Sequence, residues 1–250
     1  MIRVGVGGWT YEPWRGVFYP DGLRQAGELQ FASRQLTAIE INGTFYGSQK
    51  PASFKKWHDE TPDDFVFSLK APRFAVNRRV LAEGGESIER FFTTGLDQLG
   101  DKLGPILWQF AATKKFDPDD FAAFVALLPK KMGSRRLRHA LEVRHESFRD
   151  PAFLKLARDH GCAAVFADAD KYPTPLDADD EPTGDFVYAR LQNCAEDEPT
   201  GYSAGALDKW AKVAKGWTDG GKRDVFVYFI SGAKVRAPAA ATALIERLGK

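Results

Sequence analysis

Residues 140–147 read Ala-Leu-Glu-Val-Arg-His-Glu-Ser, a short apolar run that turns polar at its end. Alternate side chains of a strand face opposite ways, so Leu141 and Val143 share one face while Ala140, Glu142 and Arg144 share the other. One face is wholly apolar; the other starts small and finishes charged. The same grammar recurs. Residues 38–42 set Ile39 and Ile41 against Ala38, Glu40 and Asn42, and residues 186–191 set Val187 and Ala189 against Tyr188 and Arg190. Residues 163–168 read as Val165 and Ala167 toward helices, with Ala164, Phe166 and Asp168 inward. Runs at 2–7, 65–70, 106–109 and 225–230 bring the predicted strands to about eight.

Helical periodicity fills the intervals at 53–59, 87–103, 118–128, 151–160, 203–218 and 238–248. Asp117-Pro118 and Asp150-Pro151 each place an N-cap acid before a proline suited to the first helical position. Eight βα repeats in 250 residues match a (β/α)8 barrel of the α/β class, whereas an open doubly wound sheet has about five or six parallel strands. No Pro-, Gly- or Ser-rich linker divides the chain, which predicts a single domain over residues 1–250. The basic residues Lys130, Lys131, Arg135, Arg136 and Arg138 precede the fifth strand and read as a solvated loop at the far end from a barrel's usual site.

Lys and Arg number 35 against 34 Asp and Glu, a formal charge of +1, so bulk charge names no acidic or basic partner. Two cysteines, Cys162 and Cys194, give no disulfide framework and no CxxC or Cys/His ligand spacing, as expected of a reducing compartment. No apolar run approaches the roughly 18 residues of a membrane span, and the first residues lack a signal-peptide core. A cytoplasmic protein is expected.

Small residues Gly5 and Gly7 read as leaving room for a ligand or for large side chains opposite. Gly5-Val6-Gly7-Gly8-Trp9 lacks dinucleotide spacing, and Walker A, GxSxG and HExxH patterns are absent. No cofactor follows from these residues. The strand ends instead gather Glu40, Asn42, Lys70, Gln109, Glu142, Arg144, Asp168 and Arg190 at the rim that carries the site in barrels of this kind. Glu40 and Glu142 are candidates for an acid/base couple if their environments drive their pKa values apart, with burial protonating Glu142. His145 is a candidate proton shuttle and Asp168 a further catalytic carboxylate. A closed ion-pair network among the three acids and Lys70, Arg144 and Arg190 is the purely structural alternative.

Trp9, Tyr11, Trp14, Phe45 and Tyr46 follow strand ends and read as exposed ligand contacts. Lys70, Arg144 and Arg190, with Arg73, Arg78 and Arg79 in the loop after the third strand, suit a phosphate or carboxylate. A small anionic or polar ligand is therefore the expected partner. Nucleic acid is the rival, since cations among aromatics can stack bases, and near-neutral overall charge weakens it. Glu40, Glu142, Asp168 and His145 have metal-binding chemistry but no ligand motif, and a pocket without structural zinc is expected.

In order, Gly8-Trp9-Thr10-Tyr11, Phe18-Tyr19-Pro20, Glu40-Ile41-Asn42, Thr44-Phe45-Tyr46, Trp57 with Thr61-Pro62, Leu103-Gly104-Pro105, Glu142-Val143-Arg144-His145 and Tyr188-Ala189-Arg190 resemble the YecE-like proteins. That is a domain family of unknown function (DUF 72) with a TIM-like barrel. The resemblance spans nearly the whole chain and implies the barrel and a polar rim pocket, with no established reaction. Departures occur at Phe110, where the family tends to have Leu, at Gln192 and Asn193 in place of His-Gly, at Ile230 in place of Asn, and near Asn77, where a Thr-His is expected. Chemistry resting on those family residues is not expected here.

Overall fold

The computed structural model describes residues 1–249. Its main sheet is wholly parallel. In chain order the strands are β1 (Ile2–Gly7), β2 (Ala38–Ile41), β3 (Val66–Lys70), β4 (Leu103–Gln109) and β5 (His139–Glu142), followed by β6, β7 (Phe186–Leu191) and β8 (Asp224–Phe229). Strand β6 consists of Ala163–Ala164, paired to β5, and Phe166–Asp168, paired to β7. Only Val165 separates the two segments, and its N–H still donates to the Leu141 carbonyl at 3.1 Å. The sheet therefore closes on itself through β6, and β1 pairs with both β2 and β8. The result is an eight-stranded (β/α)8 barrel without edges.

Beyond two single turns, Gly43–Tyr46 and Arg73–Val76, the α-helices are α1 (Glu28–Gln35), α2 (Pro51–Glu60), α3 (Gly85–Phe92), α4 (Pro118–Ala126), α5 (Pro151–Asp159), α6 (Ala204–Trp217) and α7 (Ala237–Leu248). Asp117 and Asp150 cap α4 and α5 as their sequence predicts, and Ser203 caps α6. Helix α1 has no counterpart among the predicted helices, because Glu-Leu-Gln-Phe-Ala-Ser-Arg-Gln offers only a thin apolar stripe. The helix expected over 87–103 stops at Phe92; Gly95 turns the chain at φ 97° into 3-10 turns that end at Lys102. Strand β4 then begins at Leu103, three residues before its predicted start, with a register shift against β3 accommodating the Gly104-Pro105 pair.

Two apolar layers result. Ala38, Leu107, Ala140, Ala163, Val165, Phe186, Tyr188, Phe226 and Tyr228 fill the barrel, while Ile39, Ile41, Leu141, Val143, Val187 and Ala189 pack against the helices. The predicted faces hold for β2, β5 and β7. Strand β6 is reversed: Ala163 and Val165 point inward, whereas Ala164 and Phe166 belong to the outer layer, Phe166 packing on Trp217 of α6 at 4.7 Å. Trp14, expected at an exposed rim, is wholly buried.

The basic run, read as a solvated loop, forms a small antiparallel hairpin, Lys131–Met132 with Arg135–Arg136, in which Lys131 and Arg136 are exposed. Arg136 and Arg138 pair there with Asp185 and Asp224. Among the described residues no helix is long and apolar enough to cross a membrane.

Candidate functional site

Arg190, projecting from β7 into the closed barrel, is 1% exposed and lies between two carboxylates from other strands. Its Nε and Nη2 donate to Glu40 at 3.1 and 2.9 Å, and its Nη1 donates to Glu142 at 2.6 Å. Glu40 also accepts from Tyr188 Oη at 2.8 Å. Glu142 accepts in addition from Gln109 at 2.6 Å, Arg144 at 3.0 Å, Tyr172 at 2.8 Å and Gln192 at 3.3 Å. Burial alone would raise the Glu142 pKa, but Arg190 and Arg144, with the hydrogen bonds from Gln109 and Tyr172, hold it well below the usual carboxylate range. The expectation that burial protonates Glu142 is thus corrected: the carboxyl stays ionised. Burial opposes the charge on Arg190 too, and Glu142 and Glu40 outweigh it, raising that pKa.

Above this layer opens a cavity of about 770 Å³ at the C-terminal rim. Asn42, Lys70, Gln109, Arg144, Arg190, Trp9 and Tyr46 line it, as their strand-end positions predict. Glu40 and Glu142 form its buried underside through Arg190 rather than its wall. Tyr11 and Phe45 act from behind cations. Lys234 Nζ lies 4.4 Å from the Tyr11 ring centre, and Lys70 Nζ lies 4.1 Å from that of Phe45.

Two expected members lie elsewhere. Asp168 follows the reversed face of β6; it accepts from Asn193 at 2.9 Å and Tyr202 at 2.7 Å and is absent from the cavity wall. His145 caps the turn Glu146–Phe148, its Nδ1 accepting from the Ser147 N–H at 3.1 Å. Arg78 and Arg79 line a separate hollow with Lys114 and Lys115. The four groups considered as metal ligands are therefore not brought together, and no group of three or more His, Cys, Asp or Glu among the described residues could hold a metal ion.

Sequence reasoning missed Gln49, Lys171 and Tyr172, which enter the cavity from loops, and Lys234, which enters it from the 3-10 turn Lys234–Arg236; Trp57, one of the residues that carry the family resemblance, reaches it from α2. Lys171-Tyr172 stands just past the β6 end and Lys234 just past the β8 end; that position is the only sequence signal either carries. Trp9 and Trp57 meet edge to face at 5.2 Å and 77°. Gln192 and Ile230, two of the departures from the family pattern, also line the cavity. Gln192 donates to the Tyr172 hydroxyl. Phe110, by contrast, is core, packed on Phe121 and Phe124.

Lys70 is buried at 7% exposure, and its Nζ makes no hydrogen bond or ion pair with any described residue. Burial first, and then Arg190, lower its pKa to about 8, against the opposing pull of Glu40 and Glu142. Arg144 keeps one buried donor, Nε, without a partner. The ion-pair network is therefore not closed: every nitrogen of Arg190 is engaged, while Lys70 Nζ and Arg144 Nε are not.

Among curated proteins, the chain is 27% identical to the UPF0759 protein YecE of Escherichia coli K12 over 148 residues, 59% of this chain and 50% of that protein. It is 28% identical to the UPF0759 protein YunF of Bacillus subtilis over 159 residues, 61% of this chain and 54% of that one. These matches span about half the length of the curated relatives. A crystal structure of a DUF72 family protein from Thermotoga maritima superposes with a TM-score of 0.80 at 23% identity, covering 100% of both chains, a likeness of fold. The model of the family described as "Protein of unknown function DUF72" matches residues 3–250, and with that extent of match the chain belongs to the DUF72 family.

Proposed function

We propose that the barrel is an enzyme that takes a small anionic substrate into the rim cavity. One observation carries this reading. The cavity wall has five cationic side chains, Lys70, Arg144, Lys171, Arg190 and Lys234, and no carboxylate. Among the described residues Glu40 and Glu142 answer them from beneath, and both are engaged by Arg190. Two carboxylates against five cations leave a surplus of three positive charges around a space suited to a metabolite. The free Arg144 Nε and the unpartnered Lys70 Nζ supply donors that a phosphate or carboxylate satisfies better than isolated water. Nucleic acid fits less well, since Trp9 and Trp57 are packed edge to face on each other instead of offering parallel stacking platforms.

The test is thermal unfolding with phosphate or sulfate replacing chloride at constant ionic strength. A ligand at about a hundred times its Kd adds about 2.7 kcal/mol, or roughly 5–10 °C for a chain of this size. We expect a saturable rise in the wild type that is largely lost in Arg144→Ala. An equal response in both, or none in either, would remove the anionic substrate.

A further inference from the structure

The barrel holds two buried lysines among its described residues, and they differ in one respect that bears on chemistry. Lys102, 3% exposed, is a structural lysine: its Nζ donates to the carbonyls of His58 at 2.5 Å and Thr61 at 2.7 Å and to Thr61 Oγ1 at 3.3 Å. Those acceptors include the C-terminal turn of α2, so the ammonium is saturated where a helix end favours it. Lys70 is nearly as buried and has none of this. Its backbone is fixed, through Thr44 Oγ1 donating to the Lys70 carbonyl at 2.7 Å and through pairing with Leu107 on β4. Its side chain lines the rim cavity, and its Nζ meets only the face of Phe45.

The stem of Lys70 is thus buried while its ammonium opens onto the cavity; a partly desolvated cation with no protein acceptor is costly, and natural structures keep such groups chiefly where they work. A lysine desolvated beside other cations is a recognised way of making an amine nucleophilic at neutral pH. We infer that Lys70 is the covalent nucleophile of this site, and that the substrate is a small aldehyde or ketone carrying a carboxylate or phosphate, held as an imine on Nζ. The inference rests on the anionic-substrate reading for the charged half of the substrate and on Lys70 alone for the carbonyl half.

The step balances without a further reactant. The Nζ lone pair attacks the carbonyl carbon, and the C=O π pair moves to oxygen, which takes a proton to give a carbinolamine. The nitrogen lone pair then forms C=N as the C–O bond breaks and the oxygen leaves as water with a second proton. Counting the proton that neutral Nζ releases on the way, amine, carbonyl and one proton give an iminium ion and one water. Arg144, Lys171 and Lys234 surround the same cavity and would hold the anionic end while the carbonyl faces Lys70.

Reductive trapping tests this on the intact protein. Glycolaldehyde phosphate and neutral glycolaldehyde are each incubated with the protein and cyanoborohydride, which delivers hydride to the iminium carbon, and the adduct is located by peptide mass spectrometry. At pH 7.5 we expect glycolaldehyde phosphate to label Lys70 at least about tenfold faster than any surface lysine. The groups that set the rate's pH dependence are those around Nζ: Arg190 and Arg144 favour the free amine, while Glu40 and Glu142 oppose it. Labelling should rise through about pH 8 and be suppressed by inorganic phosphate. Lys70→Arg, which cannot form the imine, should lose the adduct. Labelling of Lys70 by both probes without competition from phosphate would uphold the nucleophile and overturn the anionic pocket. Stabilisation by phosphate with adducts scattered over surface lysines, or with none, would overturn the nucleophile and leave the pocket standing.

Discussion

Replacing Arg190 with methionine is expected to cost about 3–5 kcal/mol of folding stability, the range for removing one partner of a buried ion pair. The guanidinium is the shared counter-charge of Glu40 and Glu142, which are 0% and 1% exposed. Methionine roughly keeps the stem's volume, so the loss reports charge rather than a cavity. A domain of ordinary stability, roughly 5–15 kcal/mol, would lose a large part of it. The companion variant Arg190→Met/Glu40→Gln/Glu142→Gln should recover much of the loss, because neutral amides no longer need the cation. Equilibrium denaturation in urea reads both, and an Arg190→Met midpoint within about 1 kcal/mol of the wild type would show that the network is not stabilised in this way.

The same substitution should reverse a pH dependence. In the wild type the Glu142 pKa lies below its unfolded value of roughly 4.3, so its contribution is complete above that pH and is lost as pH falls toward the folded pKa. Without Arg190, burial has less to oppose it and raises a carboxylate's pKa, so the folded state binds protons before the unfolded one. Arg190→Met should therefore gain stability between pH 7 and about 5, where the wild type gains none.

Much of this architecture is legible in the alternation of a few strands. Glu40 with Asn42, Glu142 with Arg144, and Arg190 each stand on a face whose opposite is aliphatic, and that contrast alone places them inside the barrel. The argument fails at β6 for a physical reason. Ala163-Ala164-Val165-Phe166-Ala167-Asp168 is apolar on both faces, as a strand buried on both sides must be, and its single charge is a poor guide to direction. Asp168 is tolerated on the outer side because Asn193 and Tyr202, both from beyond β7, donate to it. Nothing local to Asp168 announces those partners. Lys171 and Lys234 are illegible for a related reason: a loop and a 3-10 turn deliver them, and the period of a strand says nothing about where such a segment returns. His145 looked catalytic from its neighbours in sequence, yet its ring is occupied in capping a turn.

Gly5 and Gly7, two residues apart on the inward face of β1, should separate fold from site by the consequences of adding one methyl group. A Cβ at Gly5 would stand 1.8 Å from the Ala38 carbonyl oxygen, so the room Gly5 provides is for the neighbouring backbone and not for a ligand. That oxygen belongs to the β1–β2 register, Gly5 opposite Ala38, and cannot retreat without separating the strands. Gly5→Ala should therefore cost about 3 kcal/mol or more, at or beyond the upper end of ordinary overpacking. A Cβ at Gly7 meets Asn42 Nδ2 at 2.8 Å and Ile230 Cδ1 at 3.2 Å, the ends of side chains that can rotate away. Gly7→Ala should cost less than about 1 kcal/mol, but both displaced groups line the rim cavity. Its signature should appear as a weakened thermal response to phosphate, with the unfolding midpoint in urea nearly unchanged. Equal losses of stability from the two substitutions would mean that Asn42 and Ile230 are as immobile as the backbone, and that the cavity floor on this side is part of the barrel's core and not of its site.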